Sequence, residues 1–162
     1  MTSPYLGLLF PIALVVFTVA GSAQSGGDQA RLTAAEIAAL PKVGPSLGTS
    51  GVSCIRTTVL SGDPAYPGLY TIMLHVPAGT RIAAHSHRDT RSAVVISGTW
   101  HFGFGSTADD VATKALGPGS FYTEPADVPH FARTGAEAVV VYITGMGPTD
   151  TRYVDTSYNL GR

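Results

Sequence analysis

Short, mainly apolar stretches separated by glycine- and proline-rich turns make up most of the chain after residue 51. In several of them apolar and polar residues alternate, which is the period of a strand with one buried face. Short strands with such turns at this spacing are typical of an all-β sandwich or barrel. We predict strands at residues 52–60, 69–76, 82–87, 92–96, 99–104, 120–123, 131–133 and 138–144.

Two stretches are less regular. Residues 138–144 are apolar on both faces, so we expect a strand that is either central or covered, for example by a second subunit. Residues 109–116 favour a loop with one helical turn.

The first 23 residues are predicted to be a signal peptide. An apolar run at residues 6–20 ends in Gly21, Ser22 and Ala23, the small residues that precede a cleavage site. The run is shorter than the roughly 20 apolar residues that cross a bilayer, although no Lys or Arg precedes Arg31, and an uncleaved anchor is the alternative. We therefore expect export to the periplasm or the medium, and no membrane association after cleavage.

Residues 24–50 are predicted to be a tether followed by a short helix. Thr33 and Glu36 have the spacing of a capping box, which predicts a helix at 34–40 that ends before Pro41. Ile37 and Leu40 would be its packed side. A domain at 51–149 and a C-terminal tail at 150–162 complete the predicted organisation.

Composition limits the function classes. Removing 23 of the 162 residues leaves 139, the size of one domain. A net charge of -1 and a pI near 6.5 give no basic surface for nucleic acid or anionic lipid. The single cysteine, Cys54, excludes an internal disulfide; we interpret it as a small core or half-buried strand residue, with a thiolate ligand as the alternative.

Candidate chemistry centres on His85 and His87. If residues 83–87 are extended, alternation places both imidazoles on one face with Ser86 turned away. Imidazole is the commonest metal ligand in proteins, and two imidazoles supply part of a site. The best candidate for a third is His130, which follows a short strand and a proline-rich turn.

Two motifs in this region together resemble those of the cupin superfamily. The resemblance rests on Gly79, His85, His87 and Gly98, followed by Gly119, Pro125 and His130. It implies a small antiparallel jelly-roll barrel whose mouth holds a divalent metal through His85, His87 and His130. The metal could be Fe(II), Mn(II), Ni(II), Cu(II) or Zn(II), and dimers, common among cupins, imply a homodimer.

The chain departs from the cupin pattern at two places. Cupins usually carry a ligand glutamate four or five residues after the second histidine, where this chain has Arg91 and Ser92. A guanidinium cannot coordinate a metal, so the usual fourth ligand is missing. Asp127 stands where the second motif usually has glycine, a turn position that Asp tolerates.

Other residues near the motifs are candidates with two interpretations each. Arg91 either pairs with Asp89 or Glu124, or grips a carboxylate substrate. Glu124 is either paired or solvent-exposed, or it acts as a fourth ligand or general base. Tyr122 either fills space or donates a proton.

The row of Trp100, Phe102 and Phe104 is predicted to be core, or pocket lining if it faces the barrel mouth. His101, on the opposite face, is a candidate for substrate binding. His75 is interpreted as a polar strand position.

The resemblance to three-histidine cupin dioxygenases implies a metalloenzyme that acts on a small organic substrate, possibly a carboxylate. Lyase or isomerase chemistry, with the metal as Lewis acid, is equally compatible. A non-catalytic module that binds a small anion or metal is the alternative from another class.

Overall fold

The computed structural model describes residues 29–159. The predicted signal peptide at 1–23 lies outside the described residues, as does most of the tether. Within 29–159 no helix is long and apolar enough to cross a membrane.

The predicted fold class is confirmed: two five-stranded antiparallel sheets enclose one core, with one short α-helix before them. The strands are β1 (Arg56–Ser61), β2 (Gly68–Val76), β3 (Arg81–Ser86), β4 (Arg91–Ser97), β5 (Trp100–Phe104), β6 (Lys114–Leu116), β7 (Phe121–Glu124), β8 (His130–Thr134), β9 (Val139–Gly147) and β10 (Arg152–Tyr153). The first sheet has the order β1-β2-β9-β4-β7 and the second β10-β3-β8-β5-β6.

Helix α1 (Ala34–Ala39) begins with the predicted capping box. The Thr33 side chain accepts from the backbone amide of Glu36, and the Glu36 carboxylate accepts from the Thr33 amide. Ile37 and Leu40, the predicted packed side, are only half-buried. No residue of the helix is fully buried.

Strand β9 occupies the centre of the first sheet, as the apolar run predicted. Val139, Val141 and Ile143 are at most 2% exposed and fill the core, whereas the alternate residues are half-buried on the outer face. β2 pairs with β9 over nine residues and contributes Tyr70, Ile72 and other inward side chains. Removing this apolar surface from water is what stabilises the barrel.

Inward positions turn polar at one end of the barrel. Residues that alternation places in the interior there are charged or polar yet buried: His85, His87, Arg91, Glu124 and His130. A buried polar group is costly unless it has a partner, so this end is where a binding site is expected.

The interpretation of Cys54 as a strand residue is wrong. Residues 49–55 form successive turns, in which the Val52 amide donates to Thr49 and the Ile55 amide donates to Val52, so β1 begins only at Arg56. Ile55 is fully buried in the core, and Cys54 is exposed.

Two short strands lie where the apolar pattern gave no strand. Residues 110–112 form one 3-10 turn, as expected, but β6 follows it and pairs with β5. Beyond the predicted domain boundary at 149, β10 pairs with β3 at the barrel mouth.

Candidate metal site

Strands β3 and β8 bring the three predicted ligand histidines together. His85 and His130 are cross-strand partners, and His87 lies just past the end of β3. All three are at most 3% exposed, and one ligand atom from each lies within 4.8 Å of the others. The predicted convergence of distant imidazoles is therefore present.

Backbone carbonyls fix how each imidazole presents its lone pair. Nδ1 of His85 donates to the Ala83 carbonyl at 2.8 Å, and Nδ1 of His130 donates to Val128 at 3.0 Å. Nδ1 of His87 donates to the Asp150 carbonyl. A neutral imidazole has one N–H, so Nε2 carries the lone pair in all three rings. The same bonds orient the rings toward the barrel interior.

Burial keeps the histidines neutral. It lowers the pKa of His85 to about 3, helped by the neighbouring His130. Burial, followed by the charge of Arg91, lowers the pKa of His87 as well, and burial also lowers that of His130. Neutral imidazole is the form that binds metal, so the donors are available over the physiological pH range.

A carboxylate approaches the histidines from the opposite sheet. Arg91 and Glu124 are cross-strand partners in β4 and β7, both point inward, and Nη2 of Arg91 contacts Oε2 of Glu124. The same oxygen lies 3.8 Å from Nε2 of His87 and 3.7 Å from Nε2 of His130. Arg91, which stands where cupins usually have a ligand glutamate, is therefore ion-paired. Its partner, the Glu124 carboxylate, lies on the neighbouring strand of the same sheet.

Asp89, the other partner considered for Arg91, is hydrogen-bonded elsewhere. Its carboxylate accepts from the Tyr70 hydroxyl at 2.7 Å and from the Thr149 hydroxyl at 2.6 Å. Burial raises the pKa of Tyr70 to about 12, so this hydroxyl stays a donor. Asp89 thereby anchors Thr149, the residue before the carbonyl that holds His87.

Tyr122 lines the same cavity as Glu124. The centroid of its ring lies 4.4 Å from that of Phe102, with the two rings tilted, and burial raises the pKa of its hydroxyl well above the ordinary value. The phenol is therefore protonated and able to donate. Trp100 and Phe102 line the cavity too, whereas Phe104 is 53% exposed.

His101 is not brought to the histidine cluster. It lies on the outer face of β5, half-buried, opposite the inward Trp100 and Phe102, and it does not line the cavity.

Asp127, also outside the cluster, adopts a positive φ of 62°, the turn conformation for which cupins usually have glycine.

The donor set fits a divalent metal. Nε2 of His87 and Nε2 of His130 are buried and have no hydrogen-bond partner among the described residues. Buried polar atoms are normally satisfied, so two converging unsatisfied lone pairs indicate a missing ligand. The cavity has a volume of about 20 Å³, enough for one ion or one water molecule. His85, His87 and His130 would hold the ion, with Glu124 in reach.

Sequence reasoning missed three residues at the site. Ser50 lies with its hydroxyl 3.0 Å from Nε2 of His85, Tyr153 donates to the Ser50 carbonyl, and Asp150 holds His87 through its carbonyl. The sequence shows only several glycines close to Ser50, which predict a loop. They do not predict where in the fold that loop lies.

Comparisons with known proteins identify the fold. No family model and no curated protein matches the sequence. Among solved structures, the polyketide cyclase RemF from Streptomyces resistomycificus is similar with a TM-score of 0.62 at 16% identity, over 78% of this chain and 86% of RemF. The DMSP lyase DddQ from Ruegeria pomeroyi gives 0.56 at 21%, over 72% of this chain and 61% of DddQ.

An RmlC-like cupin from Shewanella frigidimarina gives 0.52 at 16% identity, over 67% of this chain and 85% of that one. The chain spans about half to three fifths of the DMSP lyase structures that it matches. All three matches are below 25% sequence identity, so what they have in common with this chain is the fold. This chain therefore has the fold of the cupins.

Proposed function

We propose that this chain is an exported, divalent-metal-dependent enzyme that acts on a small organic substrate. The observation that supports it most strongly is the set of three buried imidazoles, each anchored through Nδ1 and each presenting Nε2 to the same small space. A barrel that needed only packing would gain nothing from three buried imidazoles, two of which, His87 and His130, have an Nε2 without a hydrogen-bond partner among the described residues.

The chain's own residues would share the work at this site. His85, His87 and His130 hold the ion as neutral donors, and Glu124 offers a carboxylate oxygen or a base. Arg91 balances the charge of Glu124, and Tyr122 keeps a phenolic proton beside the cavity. A bound Fe(II), Mn(II), Ni(II), Cu(II) or Zn(II) would supply Lewis acidity, and iron would add redox chemistry with O2.

Dioxygenase chemistry is the first candidate, because three neutral nitrogen donors leave coordination positions open for a chelating substrate. Lyase chemistry is the second. It is favoured by Glu124, a carboxylate placed to take a proton, and by the similarity in fold to structures described as DMSP lyases.

A carboxylate is the substrate group that Arg91 favours. Its Nε and Nη1 are buried and make no hydrogen bond in the described structure, so donors remain beside the Glu124 pair. N–H groups of a guanidinium form strong, charge-assisted hydrogen bonds with carboxylates. We expect Arg91→Ala to raise the Michaelis constant for anionic substrates. An unchanged constant would remove Arg91 from substrate binding.

The function is tested by oxygen uptake. Purified protein is loaded anaerobically with Fe(II) and mixed with diketones, phenolic acids and carboxylates, and His87→Ala serves as the matched control. Uptake with one substrate class, lost in the variant, is the expected result. Turnover without oxygen would favour the lyase. Binding of metal with no turnover at all would favour the non-catalytic module.

A further inference from the structure

One stretch of chain, residues 45–52, contributes to the walls of two cavities, and we call it the divider segment. The inner cavity measures about 20 Å³ and is lined by His85 and His130, and Gly48 and Ser50 form part of its wall. The outer cavity measures about 530 Å³, and Leu47, Gly51 and Tyr153 are among its lining residues. The divider segment therefore borders both the candidate metal site and a space large enough for a small organic molecule.

Ser50 is the residue of the divider segment that touches a metal-ligand candidate. It is 5% exposed and lies 3.0 Å through Oγ from Nε2 of His85. Because Nδ1 of His85 donates to Ala83, Nε2 can only accept, so the serine hydroxyl is the donor. Ser50 also holds a positive φ of 53°, which a non-glycine residue adopts only when its surroundings impose it.

A second contact holds Ser50 in place from the tail. The Tyr153 hydroxyl donates to the Ser50 carbonyl, and Tyr153 is the strand partner of His85. Within the divider segment, the Thr49 hydroxyl donates to the Ser46 carbonyl and accepts from the Ser46 amide. Hydrogen bonds within the divider segment therefore shape the turn around Ser50. The bond between the Tyr153 hydroxyl and the Ser50 carbonyl connects this turn to the barrel mouth.

The hydrogen bond from Ser50 competes with a metal. An imidazole nitrogen has one lone pair, so Nε2 of His85 cannot accept a proton from Ser50 and coordinate an ion at the same time. His87 and His130 have no such competitor on Nε2 among the described residues. Completing the three-histidine site therefore requires the Ser50 hydroxyl to give up its hydrogen bond to His85.

We propose that Ser50 is a latch, whose hydroxyl caps the ligand nitrogen of His85 until a metal displaces it. Release leaves the Nε2 lone pair of His85 to the ion and removes one of the contacts that hold the divider segment, while the Tyr153 hydroxyl still holds the Ser50 carbonyl. The inference rests on the metal site proposed above. It assigns Ser50 a role in metal loading, and it leaves the reaction itself to the histidines and Glu124.

The latch is tested by titrating chelator-treated protein with Co²⁺ and following visible absorption. Ser50→Ala and Ser50→Gly both remove the hydroxyl, and the glycine variant also accommodates the positive φ. We expect both to bind Co²⁺ about fivefold more tightly than the wild type, the equivalent of one net hydrogen bond. Ser46→Ala, which removes a hydroxyl from the outer-cavity side of the same segment, should leave the affinity unchanged.

Amide hydrogen exchange gives a second readout. We expect exchange in residues 46–52 to rise when Co²⁺ is added to the wild type, because the latch opens. Equal or weaker binding by both Ser50 variants, or slower exchange on loading, would overturn the latch and leave the three-histidine site standing. If neither the wild type nor the variants bind Co²⁺, the metal site and the latch are both wrong.

Discussion

At the scale of single residues, the histidines show what a motif can and cannot predict. Alternation and the cupin resemblance are enough to bring His85, His87 and His130 together, and the structure confirms it. The tautomers of the three imidazoles could not be predicted, because each is set by the backbone carbonyl that accepts from Nδ1. For His87 this carbonyl belongs to Asp150, which is 63 residues away in the chain. A sequence does not show such distant backbone contacts.

Burial of neutral histidines makes stability depend on pH. The pKa of His85 falls to about 3 on folding, and those of His87 and His130 fall too, so below about pH 6.5 the unfolded chain binds protons that the folded chain does not. The free energy of unfolding should drop as pH falls from 6.5 toward 3. Each such histidine contributes about 1.4 kcal/mol per pH unit.

Urea unfolding of metal-free protein at several pH values between 7.5 and 4.5 measures this slope. His85→Gln removes one of the three titrating groups and should have a shallower slope. Parallel slopes for the wild type and the variant would show that His85 binds protons equally in both states.

The pair of Arg91 and Glu124 yields a prediction from its burial. Removing one member leaves the other charged and without a partner, at a cost of about 3–5 kcal/mol. Arg91→Met and Glu124→Gln should each lower the free energy of unfolding by this order, while the double variant should lie closer to the wild type. A double-mutant cycle from urea unfolding of metal-free protein gives the coupling.

The exposed pair of Arg81 and Asp110 offers a matched control for that cycle. Solvent screens it, so Arg81→Met should change stability little. Additive effects of the two changes at Arg91 and Glu124 would contradict a buried ion pair at the site.

At the scale of elements, periodicity predicted strands with a buried face well and missed short or irregular pieces. β9 contains a run that is apolar on both faces, and its central place is one of the two alternatives that this run predicted. β10 has only two residues, and its pairing with β3 depends on where the tail returns, which no local pattern encodes. Cys54 fits an alternating pattern, but the turns that lead into β1 include it.

The return of the tail gives a prediction about the site. The Thr149 hydroxyl binds Asp89, and the next carbonyl, of Asp150, holds His87. Thr149→Val should loosen this connection and weaken Co²⁺ binding about tenfold, the scale of losing a contact behind a ligand. Thr151→Val, a buried residue two positions along, is the control. Equal affinities for the two variants would mean that Asp89 does not position His87.

At the scale of the whole molecule, the fold was predictable because turns, alternation and motif spacing all favour one architecture. The cavities were not, since the sequence does not show which loop enters the barrel mouth. The divider segment contains a glycine pattern that any surface loop could have, yet Ser50 reaches a ligand histidine.

Export is a prediction at this scale. If residues 1–23 are a signal peptide, the full chain expressed in bacteria should appear in the exported fraction with Gln24 as its first residue. Intact-mass spectrometry checks this directly. Val15→Arg, which interrupts the apolar run, should keep the protein inside the cell. Exported protein that still begins at Met1 would indicate an anchor instead.

The central claim is that the three histidines hold one metal ion, and anomalous diffraction from crystals loaded with Co²⁺ or Fe²⁺ tests it most directly. The account predicts one strong peak about 2.0–2.2 Å from Nε2 of His85, His87 and His130. A map without a peak there, or with His130 turned away from the other two rings, would contradict it.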